Sequence, residues 1–277
     1  MSDKNQEKIS NENSRFWDEL CGSQLARHLG IHDSSPQSLK KFDEWYFDFY
    51  PYLNSHIRFG DLAGKKVLEI GLGYGTVSQK IAESGAVYQG LDIAPGPVAM
   101  VNNRLAQMGL GGGGVQGNIL NPPFEPRQFD AIVAIGCLHH TGDLGKSVEN
   151  CFQLLRPGGR LIFMVYYAYS YRRWLQMPWV TLSYFVNELK GFRGVVGESD
   201  ARQRASYDKN LAGEGAPHTD WISKKSVASL CKMYSKIYMK LENIDSLRIS
   251  RKINRNYLLK TKAPNLVGLD LYVSATK

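Results

Sequence analysis

The regular alternation of short apolar runs with helical stretches between residues 65 and 166 constrains the fold of this chain more than any other feature. Runs predicted as strands alternate with runs predicted as helices, at residues 67–70, 76–84, 87–93, 96–108, 129–135, 143–155 and 160–166. Strands separated by helices of this length are typical of βαβ units, in which helices cover both faces of a parallel sheet. The sequence therefore predicts an α/β fold with a doubly wound, mostly parallel sheet.

Three further strands are expected outside this pattern, making a seven-stranded sheet. A short strand at residues 115–117 follows the tetraglycine of residues 111–114, which is predicted to be a flexible loop. Two apolar stretches at residues 236–244 and 266–276 are predicted to pair as antiparallel strands at an edge of the sheet.

The remaining segments differ in composition and indicate five parts of the chain. Residues 1–14 are polar, and they hold too little apolar surface to offset the entropy lost on ordering, which predicts a disordered tail. Residues 15–62 are rich in aromatic side chains and are predicted to form an N-terminal helical cap. We expect the sheet core at residues 63–167, a substrate lid or insertion at residues 168–235, and the C-terminal strands at residues 236–277.

Composition excludes several classes of protein. The 277 residues, of which 43% are hydrophobic, suffice for a globular core. The four cysteines form no CxxC pair, so neither a disulfide framework nor a zinc knuckle is indicated. No apolar run of about 18 residues and no hydrophobic signal segment is visible, so we expect a cytoplasmic protein without a transmembrane segment.

The formal net charge of +8 arises wholly after residue 150, since acidic residues outnumber basic ones before it. An anionic partner would therefore meet the second half of the chain. Solvated Lys and Arg side chains that keep the protein soluble explain the same excess.

The most specific local pattern is the sequence EIGLGYGT at residues 69–76, which joins a predicted strand to a predicted helix. Glycines at alternate positions let the backbone turn sharply and approach a ligand closely. The dinucleotide-binding fingerprint G-x-G-x-x-G has Gly or Ala in its sixth position, whereas this chain has Thr76 there. Glu69 would repel a phosphate and attract a cation, so this turn favours a cationic cofactor.

Asp92 supports a nucleoside ligand. It ends the next predicted strand, about 20 residues after Gly71, at the spacing where an acidic residue binds ribose hydroxyls. The turn and Asp92 together are much more specific than a lone glycine turn.

These residues resemble motif I, E-x-G-x-G-x-G, of the class I S-adenosylmethionine-dependent methyltransferases. The similarity continues through Asp92, residues 129–143 and residues 154–163, the last of which resembles the strand-five signature of that family. The resemblance implies a Rossmann-like sheet, S-adenosylmethionine as cofactor, S-adenosylhomocysteine as product, and no metal.

The resemblance also implies roles for individual residues. Glu69 and the glycine turn would hold the methionine moiety, Asp92 the ribose hydroxyls, and Ile93 would pack on adenine. The family often has Asp where this chain has Asn118, whose side-chain carbonyl can still accept a hydrogen bond from the adenine amino group. The full predicted cofactor set is Glu69, Gly71, Gly73, Tyr74, Gly75, Asp92, Ile93, Asn118, Ile119 and Gly136.

Residues 136–140 are the candidates for chemistry, because ligands of open α/β sheets bind at the carboxyl ends of the strands. Methyl transfer depends mainly on alignment and exclusion of water, and a hydroxyl acceptor also benefits from a base with a pKa near 7. Histidine suits this role and family members often carry one here, so His140 is our candidate base and His139 the alternative. Histidines at this position are also commonly structural, hydrogen-bonded to the next helix.

Six further residues are weaker candidates for contacts with the acceptor. The tyrosines would line the cavity or shield the sulfonium, the arginines would hold an anionic group, and the last two would close over the site. Each also has an ordinary structural explanation, in helix caps, packing or solvent contact. These residues are Tyr46, Tyr50, Arg172, Arg173, His218 and Asp220.

The sequence therefore predicts a methyltransferase for a small-molecule or sugar-like acceptor, with oxygen as the expected methylated atom. A second hypothesis is RNA or ribosomal methylation, motivated by the basic second half and the segment 248–262. Against it, the Asn-Pro-Pro-Phe sequence at residues 121–124 precedes a strand, where amino-methylating relatives carry such a motif after it. A third is a non-catalytic cofactor-binding module, or a protein in weak peripheral contact with membranes through the apolar stretch 174–186.

Overall fold

The computed structural model describes residues 3–19, 23–197, 200–245 and 254–277, which fold around one mixed sheet. The strands are β1 (Lys66–Ile70), β2 (Val87–Asp92), β3 (Gly113–Gln116), β4 (Phe129–Ile135), β5 (Leu155–Tyr167), β6 (Trp221–Ile222), β7 (Lys236–Glu242) and β8 (Asp270–Thr276). The order across the sheet is β3-β2-β1-β4-β5-β8-β7, and the two-residue β6 pairs with β5 outside this order.

The strand directions make a doubly wound sheet with one antiparallel edge. Strands β1 to β5 are mutually parallel where they pair, and β8 lies antiparallel between β5 and β7. The chain moves outward from β1 to β3 and then returns to place β4 on the other side of β1. This reversal creates a crevice at the carboxyl ends of β1 and β4. The predicted fold class and the antiparallel C-terminal pair are confirmed.

Helices cover both faces of the sheet and lie before and between its strands. Their bounds are α1 (Asp3–Trp17), α2 (Ser23–His28), α3 (Pro36–Phe49), α4 (Leu53–Ile57), α5 (Thr76–Glu83), α6 (Pro95–Gln107), α7 (Leu144–Leu154), α8 (Tyr171–Gln176), α9 (Pro178–Leu189), α10 (Ala201–Ala205), α11 (Lys224–Leu230), α12 (Arg255–Leu259) and α13 (Ala263–Val267). Within the described residues, short 3₁₀ helices occupy Phe59–Leu62 and Leu138–His140.

Apolar side chains from each central strand are divided between two cores, one on each face of the sheet. In β1, Val67 packs into one core and its neighbour Leu68 into the other, and Val133 and Ile132 of β4 repeat the division. This follows from the two-residue period of a strand. Burial on both faces explains why these strands are almost continuously apolar.

The predicted disorder of residues 1–14 is wrong for the described part of this segment, because α1 begins at Asp3. The helix is held by long-range polar contacts that its composition does not reveal. Gln6 donates to the Thr141 carbonyl (2.7 Å) and Asn13 to the His140 carbonyl (2.6 Å).

The predicted glycine loop is only partly a loop. Gly113 and Gly114 belong to β3 and pair with Gln89 and Gly90 of β2. A Cβ on Gly114 would lie 2.9 Å from Leu72 Cδ1, so the strand uses glycine here for close packing.

Among the described helices, none combines the length and the apolar composition that crossing a bilayer requires.

Candidate functional site at the carboxyl ends of the strands

A cavity of about 350 Å³ lies at the carboxyl ends of β1, β2 and β4, between the sheet and the helices α1 and α3. The topology brings these strand ends together because β1 pairs with both β2 and β4. Nine of the ten predicted cofactor residues line it: Glu69, Gly71, Gly73, Tyr74, Asp92, Ile93, Asn118, Ile119 and Gly136. The tenth, Gly75, is the N-cap of α5.

The glycine turn is built from left-handed backbone. Gly71, Gly73 and Gly75 have φ angles of +79°, +50° and +77°, a region that favours glycine. A Cβ on Gly71 would lie 2.5 Å from the Cβ of Cys137, which follows β4. The turn therefore packs directly against the other wall of the cavity.

Glu69 is a buried carboxylate at the cavity wall. The Tyr88 hydroxyl donates a 2.7 Å hydrogen bond to it. Burial raises the pKa of Glu69 to about 7, although the Ser78 and Tyr88 hydroxyls and Arg104 act in the opposite direction. A cationic ligand next to this side chain would restore the charged form.

Asp92 holds the glycine turn closed. One carboxylate oxygen accepts the Leu72 backbone N–H (2.7 Å), and the other accepts the Ala94 N–H (2.9 Å). Burial raises the pKa of Asp92, and its backbone hydrogen bonds oppose this shift. Each oxygen retains a lone pair, so the carboxylate can still accept hydrogen bonds from ligand hydroxyls.

Asn118 is engaged on both sides of its amide. Its oxygen accepts the Leu120 N–H (2.9 Å), and its nitrogen donates to the Ser10 hydroxyl of α1 (3.0 Å). The oxygen keeps a second lone pair for a ligand amino group.

Helix α1 roofs the cavity, a feature that the sequence analysis missed. Besides Ser10, Gln6 and Asn13, the Ser14 hydroxyl of this helix donates to the carbonyl of Ile93 (3.0 Å). Trp17, at the end of α1, places its ring 4.9 Å from the ring of His140. The contacts of α1 thus reach the loops after β2, β3 and β4.

A second missed group links α3 to the glycine turn. The Asp43 carboxylate accepts the Thr76 hydroxyl (2.6 Å) and pairs with the fully buried guanidinium of Arg104. Arg104 also donates to the Tyr74 carbonyl (2.7 Å). The available clue was a charged residue, Arg104, on the buried face of α6 beside Val101. This network fixes the start of α5 against α3.

Aromatic side chains from α1, from α3 and its C-cap, and from the glycine turn form the apolar wall of the cavity. The predicted residues Tyr46 and Tyr50 are among them. The full aromatic wall comprises Trp17, Phe42, Trp45, Tyr46, Tyr50 and Tyr74.

His140 lines the cavity, and a hydrogen bond at Nδ1 holds its ring. Its Nδ1 lies 2.7 Å from the carbonyl of His218 and therefore donates its proton there. Its Nε2 lies 3.5 Å from Asp208 Oδ2. Burial lowers the pKa of His140, opposed by Asp208, and burial raises the pKa of Asp208, opposed by His140. In the neutral ring Nε2 therefore carries the lone pair, and in this structure that atom is buried and makes no hydrogen bond.

His139, the alternative base, lies behind the cavity. It is fully buried, and its ring packs 4.2 Å from that of Tyr166. Burial lowers its pKa well below the usual histidine value.

The other predicted acceptor residues do not line the cavity. Arg172 pairs with Asp245, and the buried guanidinium of Arg173 lies 4.6 Å from the Trp221 ring centre. His218 and Asp220 form a pair with Nε2 and Oδ1 3.1 Å apart. Their contacts place His218 and Asp220 in a layer behind the histidines, since the Asp220 N–H also donates to the His139 carbonyl (2.8 Å).

Across the described ranges, no group of three or more His, Cys, Asp and Glu side chains is arranged to hold a metal ion.

Comparisons with known proteins match both the fold and the core sequence. Residues 68–163 match the family model described as a methyltransferase domain. The ubiquinone biosynthesis O-methyltransferase of Pseudomonas fluorescens (strain SBW25) is 33% identical over 150 residues, which cover 54% of this chain and 56% of that protein. This chain therefore spans little more than half of that relative. The protein of the same name from Proteus mirabilis is 24% identical over 93% of this chain and 91% of its own length.

Two solved structures share the fold at low sequence identity. A methyltransferase structure from Methanosarcina mazei has a TM-score of 0.55 and 16% identity, and covers 82% of this chain and 97% of its own. One from Mesorhizobium loti has a TM-score of 0.52 and 15% identity, with the same coverage of 82% and 97%.

Proposed function

We propose that this chain is an S-adenosylmethionine-dependent methyltransferase that transfers a methyl group to an oxygen atom of a small-molecule acceptor, because residues 68–163 match the model of a methyltransferase domain. The observation that carries the proposal is the meeting of the glycine turn, Glu69, Asp92 and the His140 ring in one cavity. The names of the Pseudomonas and Proteus relatives support oxygen as the methylated atom.

The cavity fits the cofactor by the chemistry of its donors and acceptors. Glu69 would hold the ammonium group of the methionine moiety, Asp92 the ribose hydroxyls, and Asn118 the adenine amino group. Ile93 would pack on the adenine ring. When bound, S-adenosylmethionine supplies a methyl group on a positively charged sulfur. A dinucleotide pyrophosphate fits less well, because Glu69 would repel it.

His140 is the proposed base. Its Nε2 would accept the proton of the acceptor hydroxyl, while its Nδ1–H bond to the His218 carbonyl fixes the ring orientation. The Asp208 carboxylate, 3.5 Å from Nε2, would stabilise the resulting imidazolium. Trp17 would exclude water from one side of the ring.

The cavity wall indicates the class of acceptor. Trp17, Trp45, Tyr46 and Tyr50 present apolar ring surface, which favours a ring-bearing, weakly polar acceptor over a sugar. A hydroxyl on such a ring is the proposed site of methylation.

Calorimetry and product analysis test the proposal in two steps. S-adenosylmethionine and S-adenosylhomocysteine should bind, and NADH should not. Incubation with trideuteromethyl-labelled cofactor and a panel of phenols should then give products heavier by the labelled methyl group, identified by mass spectrometry. Tight NADH binding without S-adenosylmethionine binding would refute the cofactor assignment. Label transferred to RNA and to none of the phenols would refute the acceptor class.

A further inference from the structure

Helix α9 buries a polar face and exposes an apolar one, the reverse of an ordinary surface helix. Its buried residues are Thr181, Tyr184 and Glu188, spaced three and four apart, so the buried stripe is polar. Hydrogen bonds satisfy this stripe: Thr181 donates to the Met177 carbonyl (2.8 Å), and Tyr184 donates to the Gly194 carbonyl (2.7 Å). A surface helix normally buries its apolar face and exposes its polar one.

The opposite face of α9, together with α8 and the segment that follows α9, exposes a dense apolar surface. Trp179 is 78% exposed, Leu175 74% and Leu189 64%. A patch this rich in large apolar residues is a common mark of an interaction site. We call it the α8–α9 face and define it by Trp174, Leu175, Trp179, Phe185, Leu189 and Phe192.

In the segment that forms the α8–α9 face, residues 171–197, the exposed charged side chains are all basic. Between residues 171 and 197, Glu188 is the single acidic residue, and it is buried, where it accepts a hydrogen bond from Ser223. Basic residues gather at the C-terminal end of α9: Lys190 and Arg193 are exposed, and Lys225 Nζ lies 3.9 Å from Glu188.

We propose that the α8–α9 face docks onto the surface of a bilayer that contains anionic lipids. Trp and Phe side chains beside Leu and Val suit the boundary between headgroups and acyl chains, and the basic rim complements anionic headgroups. The groove between α9 and Phe192, lined by Trp179, Val180 and Val195, would receive hydrocarbon. This inference is independent of the methyl-transfer activity proposed above.

A lipid surface fits better than a second copy of the chain. In a two-fold dimer the same patch meets itself, so the contact would bring together two sets of the cations Lys190, Arg193 and Lys225. Residues 171–197 hold no exposed acid to pair with them. Repulsion among these cations would oppose the apolar contact.

Flotation with vesicles tests the proposal. The wild-type protein should float with phosphatidylcholine vesicles that contain phosphatidylglycerol, much less with phosphatidylcholine alone, and less as salt rises. The double variant Trp179→Ser, Leu189→Ser should reduce the partition coefficient at least about tenfold, because it removes two large exposed apolar side chains. The double variant Lys190→Glu, Lys225→Glu should abolish the preference for phosphatidylglycerol.

Val87→Ser is the matched control, since Val87 is 58% exposed at the amino end of β2, the end of the sheet opposite to α8. It should float like the wild type, and melting curves should be similar for all variants. Absence of wild-type flotation, or wild-type flotation by the Trp179→Ser, Leu189→Ser variant, would overturn the proposal. So would a dimer, seen by light scattering, that this variant dissociates in the absence of lipid, because the face would then belong to a second copy.

Discussion

Replacing Glu69 with Gln separates the effect of this buried carboxylate on stability from its effect on cofactor affinity. In the protein without ligand, Glu69 is buried and accepts a hydrogen bond from Tyr88, and its pKa is raised from 4.5 to about 7. Gln keeps the shape and the acceptor oxygen but cannot ionise. The variant should therefore be more stable at high pH and bind S-adenosylmethionine less tightly.

The size of the stability effect follows from the pKa shift. A folded-state pKa above the unfolded value favours folding fully at low pH, and this contribution is lost as pH rises from 4.5 through about 7. The difference between these two pKa values corresponds to about 3 kcal/mol once Glu69 is ionised in both states. For a chain of this length, that free energy raises the Tm of the Gln variant by roughly 6 °C at pH 8, with little difference near pH 4.5.

The effect on cofactor affinity has the opposite sign. The ammonium group of the ligand prefers ionised Glu69, so wild-type affinity should fall as pH drops below about 7, up to tenfold per pH unit. Loss of a charge-assisted hydrogen bond should weaken binding by the Gln variant roughly tenfold to a hundredfold at pH 7.5. The variant should show no comparable pH dependence between about pH 5.5 and 7.5, below the usual pKa of an α-amino group.

Calorimetric titration and thermal melts over this pH range provide both measurements. Glu83→Gln is the matched control, because Glu83 lies on α5 and pairs with Lys80 at the surface (3.3 Å). The control should match the wild type in both measurements. If the Glu69→Gln variant and the wild-type protein lose affinity equally as pH falls, the role given to the Glu69 charge is refuted.

Three other substitutions test separate parts of the site. His140→Gln should lower kcat about a hundredfold or more and leave the S-adenosylmethionine Kd nearly unchanged, and equal losses in kcat and affinity would argue against a base. The acid limb of the wild-type kcat profile should lie below pH 6.5, because burial lowers the pKa of His140. Gly71→Ala should lower the free energy of unfolding by about 3 kcal/mol and abolish cofactor binding, because the φ angle of Gly71 is +79° and the new Cβ would meet Cys137. Its control is Gly64→Ala, at φ +70° in open space, which should lower the free energy of unfolding by only about 1 kcal/mol. Asp43→Ala should lower the free energy of unfolding by about 3 kcal/mol, since a buried guanidinium loses its carboxylate, and an unchanged melt would contradict this.

The sheet and the cofactor half of the cavity could be predicted because their determinants are local. A strand followed by the Gly71–Gly75 turn encodes its own left-handed backbone, and apolar runs such as residues 129–135 encode burial on both faces. Once the strands are parallel neighbours, their carboxyl ends must meet. Glu69 and Asp92 therefore came together as expected.

The roof of the cavity could not be predicted because its determinants are distant in sequence. Helix α1 is polar, and its order depends on carbonyl acceptors such as those of His140 and Thr141, more than a hundred residues away. The link between Asp43 and Arg104 likewise crosses from the cap to the core. No pattern within one segment reveals such pairs.

Hydropathy also could not predict which face of the segment after β5 is buried. The apolar stretch 174–186 was recognised, but its orientation depends on whether the polar side chains of Tyr184 and Glu188 find partners elsewhere in the protein. They do, and the apolar residues consequently face outward. Arg173 shows the same limit, because the arginine expected to meet an anion packs on Trp221.

The attachment of α1 has a practical consequence for following occupancy in solution. Gln6, Ser10, Asn13 and Ser14 all bond to loops that border the cavity, whereas the helix has few apolar side chains to hold it elsewhere. A molecule entering the cavity alters the anchor points of a marginally held element. The rate of amide hydrogen exchange along Asp3–Trp17 should therefore report whether a ligand occupies the cavity, without any label on cofactor or acceptor.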